Sequence, residues 1–364
     1  MASSIFMTGF PGFIARRLVE RLVQKDPEAT FTFLIEERLR STANASIQAV
    51  DDRYTGFASR TRLVSGDISA PRMGLSKREY EAATSETTQV WHLAAIYNLA
   101  VPAAIAYRVN VTGTANVLDF CEDCGSLRRL DYISTCYVSG KRTGVILESE
   151  LDEGQGFKNH YESTKCWAEI EVRRRMDRVP AAIHRPGIVV GDSRTGETDK
   201  YDGPYFVIKL LLKLPPWIPM VNIGAGTCRV NLVPIDFLVA ALAEIGTQDE
   251  SIGSTFHLAD PNPHTAREVM TSFLDALGFR RPLLAVPPSG VSGALSLSAV
   301  RNLVQIPKEA IIYFNHEAIY DTTNQQKALR NTGISCPDFL SYVPMLVDYV
   351  RAHPEKSFLD GRKF

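Results

Sequence analysis

Tyr161 and Lys165 stand four residues apart in the stretch Tyr161-Glu162-Ser163-Thr164-Lys165, which runs on through Cys166-Trp167-Ala168-Glu169. The continuation is rich in helix formers, and residues four apart on a helix share one face. A phenol beside an ammonium is a proton-transfer pair. The free phenol titrates at about 10, and a neighbouring cation favours the phenolate and lowers that value. Such a group can give a proton to a developing alkoxide or take one from an alcohol near neutral pH. The same spacing also arises by chance, so the pair carries weight only through what the rest of the chain brings to it.

A second motif supplies a partner. Gly9-Phe10-Pro11-Gly12-Phe13-Ile14-Ala15 follows an apolar stretch and opens a helical one, in the pattern G-x-x-G-x-x-A. The first glycine permits a tight turn, and the second lets backbone approach a pyrophosphate on the helix amino terminus. A tight strand–helix turn without a ligand is the plainer alternative. The second strand ends in Glu36-Glu37-Arg38-Leu39-Arg40. Glu36 suits the ribose hydroxyls of NADH, whereas Arg38 or Arg40 suits the 2′-phosphate of NADPH. Asp67 is placed either to accept from an adenine amino group or to cap a loop.

The elements that position these residues alternate. Strands are expected over 4–8, 30–35, 61–65, 89–93, 129–134 and 181–184, and helices over 13–24, 102–124 and 160–178. Alternation of this kind predicts an α/β fold, a doubly wound parallel sheet covered on both faces, with ligands at the carboxyl ends of the strands. The 364 residues carry 40 Lys plus Arg against 41 Asp plus Glu. That balance argues against nucleic acid held by bulk charge. Only Cys121 and Cys124 form a close cysteine pair; without a second pair they read as helix thiols, and no metal is expected. No uncharged apolar stretch approaches a membrane span, and no basic leader precedes the first strand, so a cytoplasmic protein is expected.

Taken together, the motifs resemble the extended short-chain dehydrogenase/reductase family, in its order. Thr8-Gly9-x-x-Gly12 resembles the nucleotide turn, Gly66-Asp67-Ile68 the adenine contact, and His92-Leu93-Ala94-Ala95 the fourth-strand motif along the cofactor. Asn110 to Leu118 resembles the structural helix, and Tyr132 to Gly140 the fifth strand with its catalytic hydroxyl. Arg185-Pro186-Gly187-Ile188-Val189-Val190-Gly191 resembles the loop beside the nicotinamide, and 230–236 the return to the main domain. The resemblance implies a Rossmann-type domain over 1–200, a return segment near 228–247, and a mostly helical substrate domain over 201–364. It implies that Tyr161 protonates the substrate oxygen and that Lys165 lowers the Tyr161 pKa and holds the nicotinamide ribose. Thr135 is the second donor, and Asn110 orders a water behind the lysine. Strand alternation allows only one of Ser134 and Thr135 to face substrate, and the family pattern selects Thr135. Asn110 as a satisfied helix amide, Ser134 as a sheet hydroxyl and His92 as a packed histidine are the plainer readings; His160 reads as surface or capping.

Ile133-Ser134-Thr135-Cys136-Tyr137-Val138, Arg185 to Gly196 and Ile319-Tyr320-Asp321-Thr322-Thr323-Asn324 further resemble fatty acyl-CoA and carrier-protein thioester reductases. That group favours NADPH and often carries Arg where this chain has Glu36. The implied reaction is reduction of an acyl thioester, on coenzyme A or a carrier protein, to aldehyde or alcohol. A ketone or secondary-alcohol dehydrogenase of the hydroxysteroid sort, a sugar-nucleotide epimerase and a non-catalytic nucleotide-binding protein are the alternatives. A homodimer is left open. The apolar stretch 205–221, with Lys209 and Lys213, reads as an amphipathic helix stopped by Pro215-Pro216, ahead of an acyl-chain lining or a membrane-surface contact. The segment 282–307 reads as a lid, a pocket wall or a plain helical part.

Overall fold

The structure, a computed structural model, describes residues 2–97, 101–218, 221–223, 226–280, 284–286 and 316–356. The segment 282–307, read above as a lid or pocket wall, lies outside the described residues apart from the short strand at 284–286.

Seven parallel strands form the main sheet: β1 (Ser4–Thr8), β2 (Thr30–Ile35), β3 (Thr61–Ser65), β4 (Gln89–His92), β5 (Arg129–Ile133), β7 (Ala181–Pro186) and β11 (Thr255–Leu258). Their order is β11-β7-β5-β4-β1-β2-β3. Between them run α1 (Phe13–Lys25), α2 (Arg40–Asp51), α3 (Lys77–Glu86), α4 (Ala103–Ala106), α5 (Gly113–Asp123), α6 (His160–Arg174) and α8 (Ile235–Ile245). A π-helical turn, Tyr107–Thr112, joins α4 to α5. The strand order reverses between β1 and β4, which opens a crevice above their carboxyl ends.

Strand alternation distributes the apolar side chains to two cores. Ile5 and Met7 of β1 and Phe31, Phe33 and Ile35 of β2 pack with α1, α2 and α8. Phe6 and Leu34, one residue out of phase, pack on the other face with residues of α5 and α6. β1 and β2 therefore carry apolar side chains on both faces, as a sheet covered on both faces requires. α8, within 228–247, packs on the first core, and the seventh strand, β11, joins the edge of the sheet after it.

A third core gathers α7 (Tyr205–Leu212), α9 (Ala266–Leu277) and α11 (Phe339–Ala352) around Tyr201, Tyr205, Phe273 and Tyr342. The apolar run after Tyr205 is thus a packed helix: Tyr205, Phe206, Val207, Ile208 and Leu211 are buried. Short parallel pairs link this part to the sheet: β8 (Ile188–Val190) with β10 (Leu232–Pro234), and β6 (Gly144–Ile146) with β13 (Ala318–Tyr320). A further pair joins β9 (Val221–Ile223) and β12 (Leu284–Val286). Between β13 and α11 lies α10 (Thr323–Ala328). Among the described residues, no helix is long and apolar enough to cross a membrane.

Candidate active site

The glycine turn shapes one end of the crevice. Gly9 has φ +89°, and a Cβ there would lie 2.8 Å from both the Ala94 nitrogen and the Leu93 carbonyl carbon. Only glycine lets β1 turn beneath Leu93 and Ala94. A Cβ on Gly12 would lie 2.7 Å from the Gly9 carbonyl oxygen, which accepts the Gly12 N–H at 2.8 Å. Gly12 opens α1 without a side-chain cap and without an acid in the first turn. A bare helix amino terminus beside stripped backbone fits the pyrophosphate of a dinucleotide. Phe10 points away from it, stacked on Phe33 at 4.0 Å and buried, so it and Pro11 offer a ligand backbone only through the turn. Phe13 carries the Arg17 guanidinium 4.2 Å over its ring, and Ile14 packs against the first core.

His92 is a core histidine. The Thr114 hydroxyl donates to the Asn110 carbonyl at 2.6 Å, so it accepts from His92 Nε2 at 3.1 Å. That leaves Nδ1 to accept from the Thr8 hydroxyl at 2.7 Å, and Thr8 in turn accepts from the Ala94 N–H. Burial, then the charge of Lys165, holds the ring neutral, with its pKa pulled down to about 3. The chain of bonds fixes the loop Leu93, Ala94 and Ala95 against the end of β1.

After β2 the charges answer one another. Arg38 Nε and Nη2 donate to the two Glu36 oxygens at 2.7 and 3.2 Å. Arg40 donates to both Glu37 oxygens and, at 2.6 Å, to Ser65 Oγ. Asp67 Oδ1 accepts from the Ser69 N–H and hydroxyl, both at 2.8 Å, which closes a turn. Its backbone N–H is bound to Met73 O. Ile68 is buried against Gly113, where a Cβ would lie 2.8 Å from Ile68 Cδ1. Asn116 of α5 ties this loop down by donating to the carbonyls of Ile68 and Ala70 at 2.7 and 3.0 Å.

The part of the crevice that carries Tyr161 is built by β5 and α6. Asn159 caps α6, accepting from the Glu162 N–H at 3.0 Å, and the helix carries Tyr161 and Lys165 on its buried face. Ser134 Oγ donates to Glu169 Oε2 at 2.6 Å and is thereby drawn into the core. Thr135 instead accepts from the Tyr137 N–H, and its hydroxyl stands beside the Tyr161 phenol, whose pKa it lowers. Burial pushes the Tyr161 pKa up, and Thr135 partly offsets this. The Lys165 ammonium donates to the Ile133 carbonyl at 2.7 Å and to the Tyr132 hydroxyl at 3.0 Å. Burial pulls Lys165 itself down to about 7, opposed by Glu169 one turn on.

Asn110 sits in the π-helical turn. It accepts from the Ile96 N–H at 2.9 Å and donates to Thr164 Oγ1 at 3.0 Å, so it pins the loop after β4 to α6 beside Lys165. His160 is exposed at the start of α6. After β7, Gly187 passes within reach of Asn231: a Cβ there would lie 2.8 Å from Asn231 Oδ1. The Ile188 N–H donates to Asn231 O at 2.9 Å, and Asn231 exchanges two bonds with Asp260. Pro186, at the end of β7, and Gly187, Ile188 and Val189 thus form a braced wall. A recess of about 480 Å³ near Val23, Tyr54 and Arg60 lies at the opposite, amino-terminal edge of the sheet and takes no part.

Comparison with known proteins agrees with this layout. A signature of NAD-binding domains described as male sterility protein matches residues 7–242, from β1 into α8. The chain belongs to the male sterility protein family. It is similar to "Nonribosomal peptide synthetase asaC" of Aspergillus flavus, 26% identical over 293 residues, 76% of this chain and 28% of that protein. It is also similar to "Fatty acyl-CoA reductase wat" of Drosophila melanogaster, 27% identical over 287 residues, 65% of this chain and 53% of that one. The chain therefore spans only part of the length of these relatives. Among solved structures it resembles the terminal R domain from the myxalamid PKS-NRPS biosynthetic pathway. The TM-score is 0.81 and the identity 26%, covering all of this chain and 93% of that domain. The fold is that of the extended short-chain dehydrogenases/reductases; UDP-glucuronic acid 4-epimerase from Bacillus cereus shares it at a TM-score of 0.66 and 18% identity.

In this male sterility family domain, several site neighbours escaped the sequence reading. Tyr97 meets Tyr161 edge to face, with ring centroids 5.1 Å apart. Lys200 lies 4.4 Å over the Tyr97 ring and pairs with Asp202 at 2.8 Å. Asp199 and Glu197 of the same loop pair with Arg16 and Arg17 of α1 at 2.5 and 2.8 Å. Glu169 and Arg185, both fully buried, are joined at 2.6 Å beneath the site. Their only signal in the sequence was charge placed inside apolar elements, which cannot name the partner.

Proposed function

We propose that the chain is an NAD(P)H-dependent reductase of acyl thioesters, yielding an aldehyde or alcohol and a free thiol. The carrying observation is the Thr135–Tyr161 hydroxyl pair beside the glycine-turn crevice, with Ser134 withdrawn by Glu169. Backbone of Gly9, Phe10, Pro11, Gly12 and Phe13 holds the dinucleotide phosphates. Glu36, Arg38 and the Asp67–Ile68 loop flank its adenosine, and Leu93 to Ala95 and Pro186 to Val189 flank its nicotinamide. The dinucleotide, when bound, supplies the hydride.

Tyr161 is uncharged at neutral pH because burial holds its phenol up. It gives its proton to the substrate oxygen as negative charge builds there, while Thr135 donates a second hydrogen bond. A thioester becomes a hemithioacetal by this step. Its collapse returns the hydroxyl proton to the tyrosinate, re-forms the carbonyl and expels the thiolate. Lys165 orders the nicotinamide ribose. Asn110 acts as a positioning residue, through Thr164 and Ile96.

The part after residue 200 that surrounds the third core holds most of the acyl substrate. Its thiol carrier is coenzyme A or a carrier protein, a reading supported by the relatives' names. All six cysteines are free, which suits the cytoplasm. The test is cofactor oxidation by the purified chain with NADPH and NADH, offered long-chain acyl-CoA and, separately, ketones. Acyl-CoA-dependent oxidation is expected. Brisk ketone reduction with none on acyl-CoA sinks the thioester reading and favours the ketone-dehydrogenase alternative, which the same hydroxyl pair would serve.

A further inference from the structure

Beside the reacting end lies a buried polar group that the mechanism does not use. His316, just before β13, is 8% exposed, and its Nε2 has no hydrogen-bond partner among the described residues. Its ring lies 6.5 Å from that of Tyr137, whose N–H is bound to Thr135 Oγ1. One aromatic residue therefore separates it from Thr135. Lys158 Nζ stands 5.8 Å from the Tyr137 ring centroid, itself held by Glu162. The backbone of His316 is fixed twice: its N–H bonds the Cys228 thiol, and its carbonyl accepts from Ala318.

Buried polar atoms are nearly always satisfied, and a solitary one next to an active site asks for a ligand atom. Burial, reinforced by the Lys158 charge, pulls the imidazole down to about 4, so it is neutral at pH 7. A neutral ring offers one donor and one acceptor. It matches an amide or hydroxyl and gains nothing from methylene. A plain fatty chain at this position leaves Nε2 unpaired.

Building on the thioester reading above, we propose that His316 is a specificity-determining residue whose Nε2 hydrogen-bonds a neutral amide or hydroxyl of the thioester substrate. That group sits either on the acyl chain or on the pantetheine arm of the thiol. A site made to bond a polar group discriminates strongly against the analogue lacking it.

The experiment compares hexanoyl-CoA, 3-hydroxyhexanoyl-CoA and N-acetyl-β-alanyl-CoA, and the S-ethyl thioesters of the same acids, by kcat/KM for the full chain and for His316→Phe. An acyl-side contact predicts that the wild type prefers the two polar acyl groups by about tenfold or more, and that His316→Phe erases this preference. A pantetheine-side contact predicts that His316→Phe lowers all CoA thioesters about equally and leaves the S-ethyl series unchanged. His316→Gln, which keeps a donor and an acceptor, restores part of either preference. If dinucleotide binding shows that His316→Phe has not folded, His316→Leu takes its place in the same comparison. Unaltered ratios in both series overturn the proposal while leaving the thioester reading intact. Turnover of ketones with no thioester reduced overturns both.

Discussion

The two ends of the crevice handle charge in opposite ways. At the adenosine end, Glu36 and Arg38 pair in the open, with each side chain 49% exposed. At the reacting end, Glu169, Arg185 and Lys165 are all but fully buried. In the first case water screens each charge, and the pair is worth little to stability. In the second, burial is the largest influence on each titration and is opposed only by specific partners. Substitutions at one end should therefore move selectivity, and at the other turnover and folding.

The sharpest way to break this contrast is Tyr161→Phe. Loss of the proton donor predicts a fall in kcat of about 10²–10⁴-fold, with dinucleotide affinity, read by fluorescence titration, close to unchanged. Full activity in that variant means that another group protonates the oxygen.

Next in size is the ion pair beneath the site. Glu169 accepts from Arg185, Arg173 and Ser134, and Arg185 also donates to the Glu148 and Glu150 carbonyls. Arg185→Met leaves the Glu169 carboxylate buried with its main partner gone. A loss of about 3–5 kcal/mol in unfolding free energy is expected by denaturant titration. A loss below about 1 kcal/mol, typical of exposed pairs, would erase the distinction between the two ends.

Lys165 gives a pH-dependent effect with a definite sign. Its pKa is pulled from 10.5 to about 7 in the folded protein, first by burial. Between those values the unfolded chain binds the proton and the folded chain does not. Stability thus rises with pH from about 7 to 10.5, and below 7 the full penalty of a buried ammonium is present. Lys165→Met removes that slope. Urea midpoints for both proteins across this range check it, and parallel curves would show that the ammonium is not penalised by burial.

Sequence patterns reached much of this arrangement. Periodicity and turn residues located six of the seven strands of the main sheet, of which β1, β2, β4, β5 and β7 are largely buried and β3 half-buried. The glycine turn was legible because Gly9 and Gly12 face backbone that no Cβ could approach. Spacing placed Tyr161 and Lys165 on one helix face. It could not tell where the ammonium would point, since Tyr132 and the Ile133 carbonyl reach it from another strand. The strand β11, Thr255–Leu258, was missed because it follows the strand–helix alternation read in the first half of the chain, and the burial of its His257 depends on Arg185 and the Asp321 carbonyl, which are distant in sequence. Tyr97 and Lys200 lie about a hundred residues apart in loops, where no period links them.

The smallest predicted effect tests the exposed end. The Arg38 guanidinium meets both Glu36 oxygens, so a 2′-phosphate on the ribose must compete with a carboxylate already in place. NADH, with its free hydroxyls, can instead donate to Glu36 without disturbing the pair. Glu36→Ala removes the competitor and leaves Arg38 facing the phosphate, and Glu36→Arg adds a second cation. The ratio of kcat/KM for NADPH over NADH should climb about fivefold to tenfold in the first variant and further in the second, the range of one charge-assisted hydrogen bond. The climb should shrink as salt is raised, because these side chains are screened. A ratio indifferent to both substitutions places the ribose elsewhere, and a ratio indifferent to salt places it in a drier setting than the exposure of Glu36 and Arg38 describes.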